Sequence, residues 1–131
     1  MNLKFHHIGI ACSKIKKSVE LYKKLGYSCS EIIYDPIQNV NLCFLKKNDS
    51  PLIELVGCID TSSNLNNILK KNGTIPYHTC YETKNIRDQI NSLIEKGFIL
   101  MMKPVKAIAF SNRKICFMYN RNVGIIELLE C

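Results

Sequence analysis

The chain repeats itself. Setting His7 on His78 gives an offset of 71 residues, which also carries Ile15 to Ile86, Val19 to Ile90, Tyr22 to Leu93, Gly26 to Gly97 and Tyr27 to Phe98. With two more residues in the second copy the offset becomes 73. Leu42-Cys43-Phe44-Leu45 then falls on Ile115-Cys116-Phe117-Met118, and Leu52-Ile53-Glu54-Leu55-Val56 on Ile125-Ile126-Glu127-Leu128-Leu129. A match held in register over most of 131 residues restricts the fold to two copies of one supersecondary unit.

The unit can be read from its periodicities. Ile15, Val19 and Tyr22, like Ile86, Ile90 and Leu93, are spaced i, i+4, i+7, which is one stripe of an amphipathic helix of about three turns. Ser13 and Thr83 are candidate N-caps. Gly26 and Gly97 stand where a helix turns into the left-handed region before the chain resumes as extended sequence. Each half therefore reads strand, helix, strand, strand, strand. The expectation is an α+β single domain of tandem βαβββ modules, residues 1–59 and 74–131, whose curved sheets pair around a metal-binding cleft. A linker over 60–73 carries a short helix through Leu65, Ile68 and Leu69, capped by Thr61 or Ser62.

Composition excludes several alternatives. The chain is 47% hydrophobic, enough to bury a core, yet no apolar run approaches the roughly 20 residues of a bilayer span. The opening MNLKFHHIG lacks the apolar core and cleavage site of a signal peptide, so a cytoplasmic protein with no membrane partner is expected. The seven cysteines are odd in number, scattered and free of any C-x-x-C pair. They read as reduced, mostly buried small hydrophobes rather than disulfides or a thiolate metal site. The formal charge of +7 comes mainly from dispersed lysines, with Arg87, Arg113 and Arg121 the only arginines. Such a surface does not predict a nucleic-acid partner, which calls for clustered Arg and interleaved aromatics, but it suits an anionic small molecule.

Four polar residues fall where strand alternation expects apolar ones. His7 shares a face with Gly9 and Ala11, and His78 lies beside Cys80. Glu54 shares a face with Leu52 and Val56, and Glu127 sits between Ile125 and Leu129. A carboxylate on an apolar face is costly unless it is paired, protonated or bound to a cation. Two of them at equivalent positions of a repeat call for one explanation. Two imidazoles and two carboxylates suit a divalent cation such as Ni, Zn, Co or Mn, with positions left open for water or substrate oxygens. His7 rather than its neighbour His6 is selected by the offset of 71.

The segments HHIGIA at 6–11, PLIELV at 51–56, YHTCYE at 77–82 and GIIELLE at 124–130 resemble the vicinal oxygen chelate superfamily, which includes glyoxalase I and methylmalonyl-CoA epimerase. The resemblance covers nearly the whole chain and matches His7, Glu54, His78 and Glu127 to the family's metal ligands. It implies a homodimer and metal-assisted proton transfer next to a carbonyl, through an enediolate or enolate, with a carboxylate moving the proton. Glu127 is the first choice for the ligand that doubles as catalytic base and Glu54 the second.

The resemblance leaves the substrate to be chosen among anionic thiol conjugates. A glyoxalase I-type lyase or isomerase is the leading expectation, a methylmalonyl-CoA epimerase-like isomerase the next, and a non-catalytic drug-sequestering protein of the same fold a third. Two segments depart from the epimerase pattern. KPVKAIAFSNRK at 103–114 stands in place of a glycine-rich loop, and the strand within 38–44 offers no second acidic base. Arg113 and Lys114 are candidates for clamping the anionic part of the substrate.

Overall fold

The computed structural model describes residues 2–131, and the mixed α+β class expected from the repeat is what they form. The chain runs β1 (Lys4–Cys12), α1 (Ile15–Lys24), β2 (Ser28–Cys29), β3 (Ile33–Asp35), β4 (Val40–Lys46), β5 (Ile53–Cys58), α2 (Leu65–Asn72) and β6 (Ile75–Thr83). It continues with α3 (Ile86–Glu95), β7 (Ile99–Leu100), β8 (Val105–Ala107), a 3-10 turn at Ile108–Phe110, β9 (Arg113–Asn120) and β10 (Gly124–Glu130). It divides into two compact units, one of residues 7–77 and the other of 78–131 with the N-terminal stretch through His6.

In the unit of residues 7–77 the strand order is β2-β4-β5-β1, with β3 also on β4. β1 and β5 run parallel, Gly9 beside Glu54 and Ala11 beside Val56, while β4 and β5 are antiparallel with Phe44 opposite Glu54. Ile10, Cys12, Cys43, Leu45 and Leu55 point to one face and meet Ile15 and Val19 of α1 in a buried cluster, with Tyr22 packed against it. The odd-numbered positions of β1 and the even-numbered positions of β4 and β5 face the other way.

The second unit repeats this plan. Its order is β6-β10-β9-β7, with β8 also on β9; β10 is parallel to β6 and antiparallel to β9. Cys116, Met118, Ile126 and Leu128 pack against Ile86, Ile90 and Leu93 of α3. Burying each large aliphatic side chain of this kind contributes roughly 1.5–3 kcal/mol, so the stripe that reveals each helix in the sequence is also what holds it to its sheet. Gly26 and Gly97, at φ +96° and +91°, close α1 and α3 in a conformation that an L side chain rarely adopts.

The helix starts differ from expectation. Lys14 and Asn85 are the N-cap residues, not Ser13 and Thr83. The Asn85 side chain accepts a hydrogen bond from the Asp88 amide at 3.1 Å, whereas Lys14 has no oxygen to offer and caps nothing. Thr83 acts one step earlier, its hydroxyl oxygen accepting from the Asn85 amide at 3.4 Å. The linking helix begins after Asn64, and the Ser63 hydroxyl, rather than Thr61 or Ser62, accepts from the Leu65 amide at 3.2 Å. In each unit the strand after the helix is broken into two short pieces, β2 with β3 and β7 with β8. Asp35 ends β3 by accepting hydrogen bonds from the Ile37 and Gln38 amides at 2.9 and 3.0 Å, which makes a sharp turn. All seven cysteines are free thiols, four of them buried.

Candidate functional site

The face of each sheet turned away from its helix carries the polar residues singled out in the sequence. In the unit of residues 7–77, β1 presents His7 and the neighbouring parallel strand presents Glu54, with imidazole Nε2 and carboxylate Oε1 3.4 Å apart. In the other unit, β6 presents His78 and β10 presents Glu127, with Nε2 and Oε2 3.8 Å apart. All four residues are buried, at 0%, 2%, 4% and 2% exposure for His7, Glu54, His78 and Glu127. The register places His7, not His6, beside the carboxylate. His6 points to the opposite side of β1 and meets the Phe110 ring edge-on, 5.5 Å between centroids.

The 3.4 Å separation matches shared coordination of a cation, and the 3.8 Å one is a few tenths of an ångström wider. Both exceed the ordinary length of a hydrogen bond. Donors each about 2.1 Å from a common ion stand roughly 3.0 Å apart along an octahedral edge and roughly 3.4 Å along a tetrahedral one. The donor chemistry agrees, since imidazole nitrogen and carboxylate oxygen are the ligands of a borderline divalent metal. A buried carboxylate is costly unless paired, and a cation beside it would offset that cost.

An aromatic ring stands beside each histidine. Phe44, directly across from Glu54 on β4, meets the His7 ring edge-on with 6.4 Å between centroids and 75° between planes. Phe117, directly across from Glu127 on β9, does the same to His78 at 5.3 Å and 72°. Such edge contacts fix the ring planes and keep water from their flanks. The sequence aligned Phe44 with Phe117 only as a repeat match, and nothing in residue type marked them as part of a site. Their offset of 73, shared with Glu54 and Glu127, was the available signal.

Arg113 and Lys114 separate. As successive strand residues they point to opposite faces of β9. Arg113 shares the face of Phe117, where its guanidinium bonds the Glu82 carboxylate at 3.4 Å and the Phe110 carbonyl oxygen at 3.2 Å. It also lies over the Phe110 ring at 5.9 Å. Lys114 is on the helix side, at the rim of a cleft beside the start of α3. The inward positions of β4, Val40, Leu42 and Phe44, carry no titratable group. Cys116, across the sheet from the site face, has its thiol pushed up to about 12 by burial and by the charge of Glu127. It is neutral at ordinary pH and is not a nucleophile there.

The family is decided by a sequence match over residues 6–117, nearly all of the chain, to the model described as the glyoxalase/bleomycin resistance protein/dioxygenase superfamily. The chain belongs to this superfamily. The fold agrees. A protein of Bacillus halodurans C-125 described as hypothetical is 25% identical with a TM-score of 0.85, covering 100% of this chain and 96% of that one. Methylmalonyl-CoA epimerase from Mycobacterium tuberculosis is 23% identical with a TM-score of 0.83, covering 97% and 87%. Streptomyces coelicolor methylmalonyl-CoA epimerase, solved in complex with 2-nitronate-propionyl-CoA, is 22% identical with a TM-score of 0.85 and covers 98% of both chains. No curated protein matches in sequence. Superfamily members usually bind a divalent metal and include enzymes, and the histidine and glutamate pairs are the residues of this chain fitted to hold one. Among the described residues no helix is long and apolar enough to cross a membrane.

Proposed function

We propose that the protein is a divalent-metal-dependent isomerase that moves a proton next to the carbonyl of an acyl thioester. The observation that carries the reading is the pair of equivalent His/Glu sets, His7 with Glu54 and His78 with Glu127, buried on corresponding faces of a duplicated unit. Each set offers one imidazole nitrogen and one carboxylate oxygen to a divalent cation, Ni, Zn, Co or Mn. Two carboxylates balance the cation's two positive charges. When bound, the cation supplies Lewis-acid stabilisation of negative charge developing on a substrate oxygen.

The chain's own groups do the rest. Glu127 takes the proton from the carbon beside the carbonyl, with Glu54 the second choice for that base, and an isomer forms when the proton is returned to the opposite face of the planar enolate or to the neighbouring carbon. Phe44 and Phe117 hold the imidazole planes and exclude water from their flanks. The Arg113–Glu82 pair carries its charge on the same face as Phe117, where Arg113 can meet an anionic substituent. The likeness in fold to methylmalonyl-CoA epimerases over almost the entire chain supports a thioester substrate, and a homodimer accords with the superfamily.

One observation favours a second reading, a glyoxalase I-type lyase acting on a hemithioacetal. Val40, Leu42 and Phe44 give β4 no acid facing inward, so a two-base inversion finds no second base there, and one carboxylate must both remove and return the proton. Two measurements test these readings. Metal analysis of purified protein with and without Glu127→Gln should find one divalent ion per chain in the parent and a reduced content in the variant; no stoichiometric ion overturns both. Side-by-side assays with methylmalonyl-CoA and with the methylglyoxal–glutathione hemithioacetal then choose between them, and turnover of the hemithioacetal alone rejects the thioester.

A further inference from the structure

The two units differ at the start of their helices. At the offset of 73, Gly57 corresponds to Glu130. Gly57 lets α1 settle directly onto β5: a Cβ built there would lie 3.0 Å from the Ile15 Cβ. In the other unit the Glu130 carboxylate accepts a hydrogen bond from the Ile86 amide at 2.9 Å, so a side chain stands between β10 and the first turn of α3. Beside it opens a cleft of about 610 Å³.

This cleft is strongly basic. Arg87 on α3, Lys103 before β8 and Lys114 on β9 line it, and Glu130, already engaged with the Ile86 amide, is the only acidic lining residue. All three cations are exposed, and among the described residues none makes an ion pair or side-chain hydrogen bond. Three unpaired cations repel one another, an arrangement that gains most from a multiply charged anion. In the first unit the counterpart of Lys114 is Asn41, so this concentration of charge is not inherited from the repeat. Ile90 and Pro104 add an apolar wall on which a base can lie, and the volume falls in the range of small-molecule sites.

We propose that this cleft binds the adenosine-phosphate end of an acyl-CoA substrate. The proposal rests on the acyl-thioester reading above and deepens it. Glu130 is three residues beyond Glu127 on the same strand, roughly 10 Å along it and on the opposite face. A carrier arm running from Glu127 past Arg113 and around that end of the sheet therefore arrives at Lys114 and Arg87. The reacting carbon and the nucleotide are then held by separate parts of the second unit, and the distant contacts add binding that is equal in ground and transition state and so sets KM.

The test uses the full chain and the double variant Arg87→Gln/Lys114→Gln, neither residue being part of the metal site. Calorimetric titration with 3′,5′-adenosine bisphosphate, in the presence of chelator, should show binding to the parent, at least tenfold weaker binding to the double variant, and unchanged binding to Glu127→Gln. KM for methylmalonyl-CoA should rise at least tenfold in the double variant with kcat unchanged, while KM for the pantetheine thioester, which lacks the nucleotide, stays the same. The proposal is overturned if the bisphosphate does not bind, if it binds both proteins equally, or if inorganic phosphate alone binds as tightly. Charge-dependent binding of the bisphosphate by a protein that turns over no thioester would instead overturn the thioester reading and leave the cleft a nucleotide site.

Discussion

Glu127→Gln should change the stability of the metal-free and metal-loaded proteins differently. In the metal-free protein the Glu127 carboxylate is 2% exposed, and holding an ion out of water costs several kcal/mol before local interactions offset it. The amide keeps the shape and an oxygen but not the charge, so the metal-free variant should unfold at the same temperature as the metal-free parent or higher. With metal the ranking reverses. At a free metal concentration a thousand times Kd the parent gains about 4.1 kcal/mol. A chain of 131 residues gives roughly 3–4 °C per kcal/mol, so Tm should rise by about 15 °C. Exchanging a charged donor for a neutral one should weaken binding at least as much as losing an outer-shell partner, up to about 100-fold. That leaves the variant about 1.4 kcal/mol, or about 5 °C, at the same metal concentration.

The assay is thermal unfolding in chelator and across a series of Ni, Zn, Co and Mn concentrations, for the parent, Glu127→Gln and Glu54→Gln. Because Glu54 and Glu127 are equivalent by repeat and by geometry, the two variants should lose similar amounts. Three results refute the reasoning: no metal-dependent shift in the parent, the full shift retained in a variant, or a metal-free variant several kcal/mol less stable than the metal-free parent. The last would mean that the internal partners of Glu127, His78 among them, outweigh the cost of burying its charge.

Phe117→Leu should remove the ring edge 5.3 Å from His78 and weaken metal binding about tenfold with little loss of metal-free stability; metal titration followed by unfolding separates the two effects. Burial raises the thiol pKa of Cys12, Cys43 and Cys116 above 9.0, in the last case to about 12. Their neutral forms favour the folded state, so this contribution is intact below pH 9 and is lost as pH rises toward 12, which a Tm-against-pH profile should show as an alkaline decline. At pH 8 a thiol alkylating agent should modify the exposed Cys131 first, and Cys12, Cys43, Cys80 and Cys116 only on unfolding, as mass spectrometry of timed samples would reveal. Gly57→Val should cost about 1–3 kcal/mol by forcing α1 off β5, measured by urea unfolding.

The paired positions were legible because each is fixed by a physical demand that both copies meet. Ile15 and Ile86 bury the same stripe, Gly26 and Gly97 turn the chain at the same positive φ, and His7 and His78 occupy the same inward register. The helix caps were not legible in the same way. Ser13 has the right chemistry for a cap, but the first turn begins one residue later, so the N-cap position falls to Lys14. The broken second strand of each unit was missed because three-residue pieces such as Ile33–Asp35 carry too little alternation to read. Phe44 and Phe117 were visible as sequence matches, yet an aromatic in a strand is ordinary core, and only the ring geometry beside the histidines separates the two meanings.

Duplication also gives a way to sort the differences. Residues proposed to hold the cation have to match, and they do: imidazole and carboxylate recur at corresponding positions, each with a phenyl edge beside the imidazole. Residues that contact the rest of a substrate lie off the repeat, because one asymmetric molecule cannot meet both copies in the same way. Such residues are expected where the repeat fails, and the starts of α1 and α3 are such a place. One is closed over Gly57, with Ile15 against the strand. The other is held open by Glu130 and surrounded by Arg87, Lys103 and Lys114. Gly57 lets Ile15 approach β5 directly, whereas at the matching position the Glu130 carboxylate accepts from the Ile86 amide and stands between strand and helix. Specificity is therefore expected at the ends of the helices and in the loop from Met101 to Asn112, and the cleft lined by Arg87, Lys103 and Lys114 lies in that part of the second unit.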